Sequence, residues 1–109
     1  MAFTEASSNG TLNSTTPVTV VAAPAASTRR LTRNLIVYNA DTASVTLTLS
    51  EVHGANTRVF KRIVITTLDT FVWTEPLILD GTTKSITAVL AGAVTANQPD
   101  WITNYADVT

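Results

Sequence analysis

Val45-Thr-Leu-Thr-Leu49 alternates apolar and hydroxyl side chains without a break. A period of two places Val45, Leu47 and Leu49 on one face of an extended strand and Thr46 and Thr48 on the other. Such a strand must bury its apolar face on a second layer. Just before it, Leu35-Ile-Val-Tyr38 is apolar on both faces, which predicts a strand lying centrally in a sheet. Asn39 to Ala43 lies between them. Its Asn and Asp side chains favour turns by bonding their own backbone. The two segments are therefore expected to form a hairpin.

The same logic divides the rest of the chain. Pro17 to Ala23 predicts a first strand, with Pro17 at its start because it lacks an amide donor. Asn56 to Thr66 predicts another, entered through a turn at His53-Gly-Ala-Asn56. Lys61 and Arg62 interrupt both of its faces at one level, as a bulge or a strand that briefly leaves the core would. Phe71-Val-Trp73 and Leu77-Ile-Leu79 are short strands separated by Pro76, and Asp80-Gly81 is a turn signal. Ser85 to Leu90 carries Ile86, Ala88 and Leu90 on one face. Residues 91–99 read as a loop, and Trp101 to Val108 closes the domain with Trp101, Thr103 and Tyr105 on a shared face. No segment has a 3.6-residue period. About eight short strands with regular turns predict an all-β fold, an antiparallel β-sandwich of jelly-roll or immunoglobulin-like topology. Residues 1–15 are small and polar apart from Phe3. They are expected to be a flexible N-terminal arm, with residues 16–109 as the sandwich domain.

Composition limits what such a domain does. The chain has 109 residues, 14% of them charged, a net charge of −1 and 21 threonines. That suits one small domain with half-wet strands. It provides no positive footprint for nucleic acid. No cysteine is present, so neither a disulfide nor a thiolate metal site is available. The first residues lack the basic and apolar regions of a signal peptide, and no apolar run approaches the roughly 20 residues of a membrane helix. Neither nucleic acid nor membrane is expected as a partner.

No catalytic constellation is legible. His53 is the lone histidine and falls in a predicted turn. No serine occupies a nucleophile elbow, and the four glycines are too far apart for a phosphate loop. Asp41, Asp69 and Asp80 fall at predicted turns, but without the spacing of a calcium loop. The expectation is no catalytic residue, no cofactor and no metal. Candidate partner contacts are Phe3, the basic cluster Arg29, Arg30 and Arg33, and the aromatics Trp101 and Tyr105. Trp73, Trp101 and Tyr105 would serve as stacking surfaces if the chain were a carbohydrate-binding module.

The phrases Arg30-Leu-Thr-Arg-Asn-Leu-Ile-Val-Tyr-Asn-Ala-Asp-Thr42, Asp80-Gly81, Asn97-Gln-Pro-Asp-Trp101 and Asn104-Tyr-Ala-Asp-Val108 resemble small β-sandwich proteins encoded among the virion genes of tailed bacteriophages. The resemblance runs from about residue 17 to the end. It implies a non-enzymatic virion protein, with capsid decoration (cement) first and a neck, tail or fibre-base part second. It also implies a homo-oligomer, a trimer foremost, whose partners are the major capsid protein or other virion proteins. Localisation would be the virion, after assembly in the host cytoplasm. A weakly charged, threonine-rich surface suits that role, because little charge must be desolvated when subunits meet.

Overall fold

The computed structural model describes residues 2–109. They form nine strands: β1 (Phe3–Thr11), β2 (Val18–Val21), β3 (Arg29–Tyr38), β4 (Val45–His53), β5 (Asn56–Ile65), β6 (Thr70–Trp73), β7 (Ile78–Asp80), β8 (Lys84–Leu90) and β9 (Asp100–Val108). All pairings are antiparallel. One sheet has the order β1-β9-β3-β6, with β7 also paired to β3, and the other has the order β2-β8-β4-β5. The expected all-β sandwich is the observed fold.

Strands β6 and β7 are one strand interrupted. β6 pairs with Leu35–Tyr38, and β7 pairs with Arg29–Leu31 of the same neighbour. Between them Pro76 lacks an N–H, and the chain bows away. Thr32 holds the bow: its N–H donates to the Leu77 carbonyl at 3.0 Å, and its Oγ1 accepts the Leu77 N–H at 2.8 Å. With β6 and β7 counted together, four strands face four. Most connections pass from one sheet to the other, which is jelly-roll topology.

One expected pairing is overturned. β3 and β4 are not a hairpin; they lie in different sheets, and residues 39–44 arch across the end of the sandwich. Turn-forming side chains produce this arch by bonding across the layers. Asn39 Nδ2 donates to the carbonyls of Ala43 and Ile65 at 3.0 and 2.9 Å. β4 instead makes its hairpin with β5, through the His53–Asn56 turn. The ladder slips between Leu49, opposite Lys61, and Ser50, opposite Val59. The bulge therefore falls at Phe60, one residue before the charged pair, and Lys61 and Arg62 themselves stay in register with Leu49 and Thr48.

Residues 3–11, for which the sequence offered an arm, form β1, the outer strand of the larger sheet. Nine residue pairs join it to β9, from Phe3↔Val108 to Thr11↔Asp100. Seven of its nine positions are exposed, so the main chain and not an apolar pattern creates the strand. The next residue differs in kind. Leu12 is buried, and its N–H donates to the Pro99 carbonyl at 2.9 Å.

The core lies between the sheets, where alternation placed it. Val45, Leu47 and Leu49 from β4 meet Ile86, Ala88 and Leu90 from β8, and Leu35 and Val37 close over them from β3. Fully burying a side chain of this kind stabilises by about 1.5–3 kcal/mol relative to exposure.

Candidate assembly surface

The outer face of the larger sheet follows from its inner one. Trp101 and Thr103 of β9, Leu35 and Val37 of β3, and Phe71 and Trp73 of β6 point inward, so their alternates point out. Register partners share a face, and Ile36 is opposite both Ile102 and Val72. Ile102, Ile36 and Val72 therefore stand side by side across three strands. Ile102 and Val72 are 46% and 48% exposed, and Ile36 is half-buried. Exposed Tyr38 lies one step along the same face. On the other side of the row, Asn104 Nδ2 donates to Asn34 Oδ1 at 2.7 Å. The surface is an apolar row with polar margins.

Arg33 closes one end of this face. Its Nη2 donates to Glu5 Oε1 at 3.1 Å, and its guanidinium stands 5.6 Å from the centre of the Phe3 ring. Both partners of the ion pair are well exposed, so it contributes less than about 1 kcal/mol. What it does is locate β1, because it reaches from β3 across β9 to the outer strand. Arg33 is free to do so because the β3–β9 register slips between Thr32 and Asn34.

Arg30 has a different task. Its Nε and Nη2 grip the Asp107 carboxylate at 2.8 and 3.0 Å, and Nη1 donates to the Ala22 carbonyl at 2.7 Å. The same guanidinium lies 4.3 Å from the centre of the Tyr105 ring. The Asp107 hydrogen bond, helped by charge attraction, holds Arg30 above its ordinary pKa, against partial desolvation. A forked grip of this geometry is the stronger kind of ion pair. It ties β3 to β9 and to the chain leaving β2.

Of the six candidate contact residues, the structure brings four together in two pairs: Phe3 with Arg33, and Tyr105 with Arg30. Arg29 lies apart, lining a shallow cleft with Ser27, Asp80 and Val108. Trp101 is only 6% exposed, and its indole lies against Gly10. Trp73 also faces inward, with its ring 5.2 Å from that of Phe60. The row Ile36, Ile102 and Val72 escaped the sequence reading, although the doubly apolar Leu35–Tyr38 segment carried its signal.

The turn acids are structural. Asp41 is almost fully buried, and its carboxylate accepts the N–H groups of Thr42, Thr95, Ala96 and Asn97 at 2.7–3.2 Å. These bonds, the one from Thr95 foremost, hold its pKa down to about 2 against the opposing effect of desolvation. Asp41 thereby lashes the 39–44 arch to the loop before β9. Asp80 pairs with Lys84 at 2.7 Å. That hydrogen bond lowers the acid's pKa and raises the amine's. Among the described residues no three acids, histidines or cysteines gather as metal ligands. His53 is exposed at the end of β4.

No family model matches the chain, and no curated protein does. Among solved structures, a subunit described as belonging to "Bacillus endospore appendages", a "novel family of disulfide-linked pili", superposes with a TM-score of 0.56 at 12% identity, covering 99% of this chain and 87% of the other. A chain of a "Cyanophage Pam1 capsid asymmetric unit" gives a TM-score of 0.35 at 13% identity, over 96% and 79% of the two chains. The first likeness shows a shared fold; the second superposition is too loose to argue from.

Proposed function

We propose that this chain is a non-enzymatic structural subunit of a bacteriophage virion, a capsid decoration or cement protein that stabilises the shell through oligomeric contacts. The observation that carries this reading is the apolar row Ile102–Ile36–Val72, set on a weakly charged sheet face with polar margins. Interfaces are depleted of charge at their centres and polar at their rims. Contiguous exposed apolar area marks a contact surface more often than single exposed residues do. The resemblance of its short phrases to small virion sandwiches supports a virion as the particle, and the jelly roll suits a part whose outline matters more than any reactive group. Fold alone does not assign function; the assignment rests on this face.

Association and particle binding test it together. The purified chain is expected to form a concentration-dependent oligomer, a trimer foremost, in analytical ultracentrifugation. Ile102→Thr with Val72→Thr should weaken that association by at least about tenfold, equal to about 1.4 kcal/mol. The free energy of unfolding should change by no more than about 0.5 kcal/mol, as for other surface changes. Added to phage shells that lack it, the chain should raise their disruption temperature. A monomer at every concentration that is retarded on polysaccharide gels would overturn the reading in favour of a carbohydrate-binding module. Intact shells without tails, in a phage lacking the gene, would move the protein to the neck or tail.

A further inference from the structure

β1 is fastened only to surfaces that every copy of the chain also presents. Its ladder runs to β9. Its contacts to a charged side chain, Glu5 and Phe3 with Arg33, are both made to β3. Few of its side chains enter the core, since seven of its nine positions are exposed. The firm anchor begins at the next residue. Leu12 is buried and bonded to Pro99; Thr16 N–H then closes a turn on the Asn13 carbonyl at 2.9 Å, and the Ser14 carbonyl accepts from Leu90 N–H at 3.0 Å. Residues 3–11 are thus a limb of roughly 30 Å, at about 3.3 Å per residue, projecting from a fixed joint.

We propose that β1 is an exchangeable strand. In the assembly, residues 3–11 of one copy leave their own β9 and pair with β9 of a second copy, in the same register. This inference rests on the assembly reading above and names the partner, which is another molecule of this chain. The exchange remakes every contact it breaks, so subunit concentration and not contact energy sets its extent. Extended strands added at a sheet edge bind through main-chain hydrogen bonds, and side chains choose the register.

The register key is Gly10. It is paired with Trp101, and a Cβ at position 10 would lie 3.0 Å from Cζ2 of the indole. No other glycine lies in the first 50 residues. An incoming strand slipped by two residues would press Ser8 or Leu12 onto the ring. Only the native register lets the backbone pass over Trp101, and only an occupied edge covers that indole.

The absence of cysteine makes the test direct. Ser7 and Asn104 are register partners, so a Ser7→Cys chain is mixed with an Asn104→Cys chain and oxidised. A parallel mixture pairs Ser7→Cys with Val108→Cys, four residues out of register. Light scattering follows oligomerisation in both. The expected result is a disulfide-linked heterodimer in the first mixture and none in the second. Oligomers without that heterodimer, or equal cross-linking in both mixtures, overturn strand exchange and leave the assembly reading standing. Monomers at all concentrations overturn both. A chain carrying Ser7→Cys and Asn104→Cys together, kept dilute, is expected to close its disulfide internally; failure to do so overturns the register on which the exchange depends.

Discussion

β1 and β9 are each nine residues long and share a single ladder, yet they hold opposite stakes in the fold. β9 lies between two neighbours and buries Trp101, Thr103 and Ala106. β1 has one neighbour and buries none of its own residues. A ladder hydrogen bond contributes a net ~0.5–1.5 kcal/mol, while ordering each residue's backbone costs about 1–2 kcal/mol. A strand held by its ladder alone sits near balance, and buried side chains remove that balance for β9. Regular pairing therefore shows where a segment lies but not how firmly it stays.

The sharpest attempt to break this contrast places one charge on each side of a single register pair. Ser8 is opposite Thr103; Thr103 is 1% exposed, and its Oγ1 donates to the Val20 carbonyl at 2.9 Å. Thr103→Asp buries an unpaired carboxylate and should abolish cooperative unfolding by circular dichroism. Ser8→Asp should stay within about 1 kcal/mol of the parent. A Ser8→Asp chain that unfolds would show that β1 is as essential as its partner.

Next in size is the difference between two truncations. Removal of residues 2–10 should lower stability in urea by about 1–2 kcal/mol: ladder and ordering terms nearly cancel, and the rest comes from the Trp101 indole losing the cover of Gly10. Removal of residues 2–15 also takes Leu12 and should lower it by a further ~2–5 kcal/mol, as other buried leucine losses do. Equal losses would place the joint elsewhere than between Thr11 and Leu12.

The third effect is invisible at neutral pH. Asp41 titrates at about 2 in the folded chain, below its ordinary value near 3.9. The unfolded state therefore binds the proton first as pH falls. The stabilisation is complete above about pH 4 and is lost as pH drops through about 2. Thermal midpoints should fall along that limb, and Asp41→Asn should flatten it. Because Asp41 holds the loop that leads into β9, hydrogen exchange in acid should open Asp100 to Thr103 before the rest of β9.

Much of this was legible in the sequence. Alternation in Val45–Leu49 and Ser85–Leu90 named the inward side chains, and Pro76 and Asp80-Gly81 marked real breaks. β1 was not legible as a strand, because Phe3-Thr-Glu-Ala-Ser-Ser-Asn-Gly-Thr11 has no apolar period and its pairing uses only main chain. The arch at residues 39–44 was misread for a related cause: Asn39 and Asp41 signal a turn, but nothing local says whether the turn closes a hairpin or bridges two layers. Periodicity placed Trp101, Thr103 and Tyr105 together without telling inside from outside, and it fails past Thr103: Ala106 is buried although Ile102 is exposed, and Tyr105 is half-buried beside Arg30. For the candidate surface, Arg30, Arg33, Phe3 and Tyr105 stood out as residue types. Their pairing required the β3–β9 register, which sequence alone does not contain.

Phe3 is opposite Val108, and Thr109 N–H donates to the Ala2 carbonyl at 3.0 Å. The two extremities of the described chain thus emerge at one corner, and a tag or cargo fused to either would occupy the same place. A short covalent splice there, with new ends opened at the His53–Asn56 turn, would make the outermost strand and its neighbour a continuous loop. Such a permuted molecule would keep every residue pair of the jelly roll but forfeit the freedom to lend that strand away.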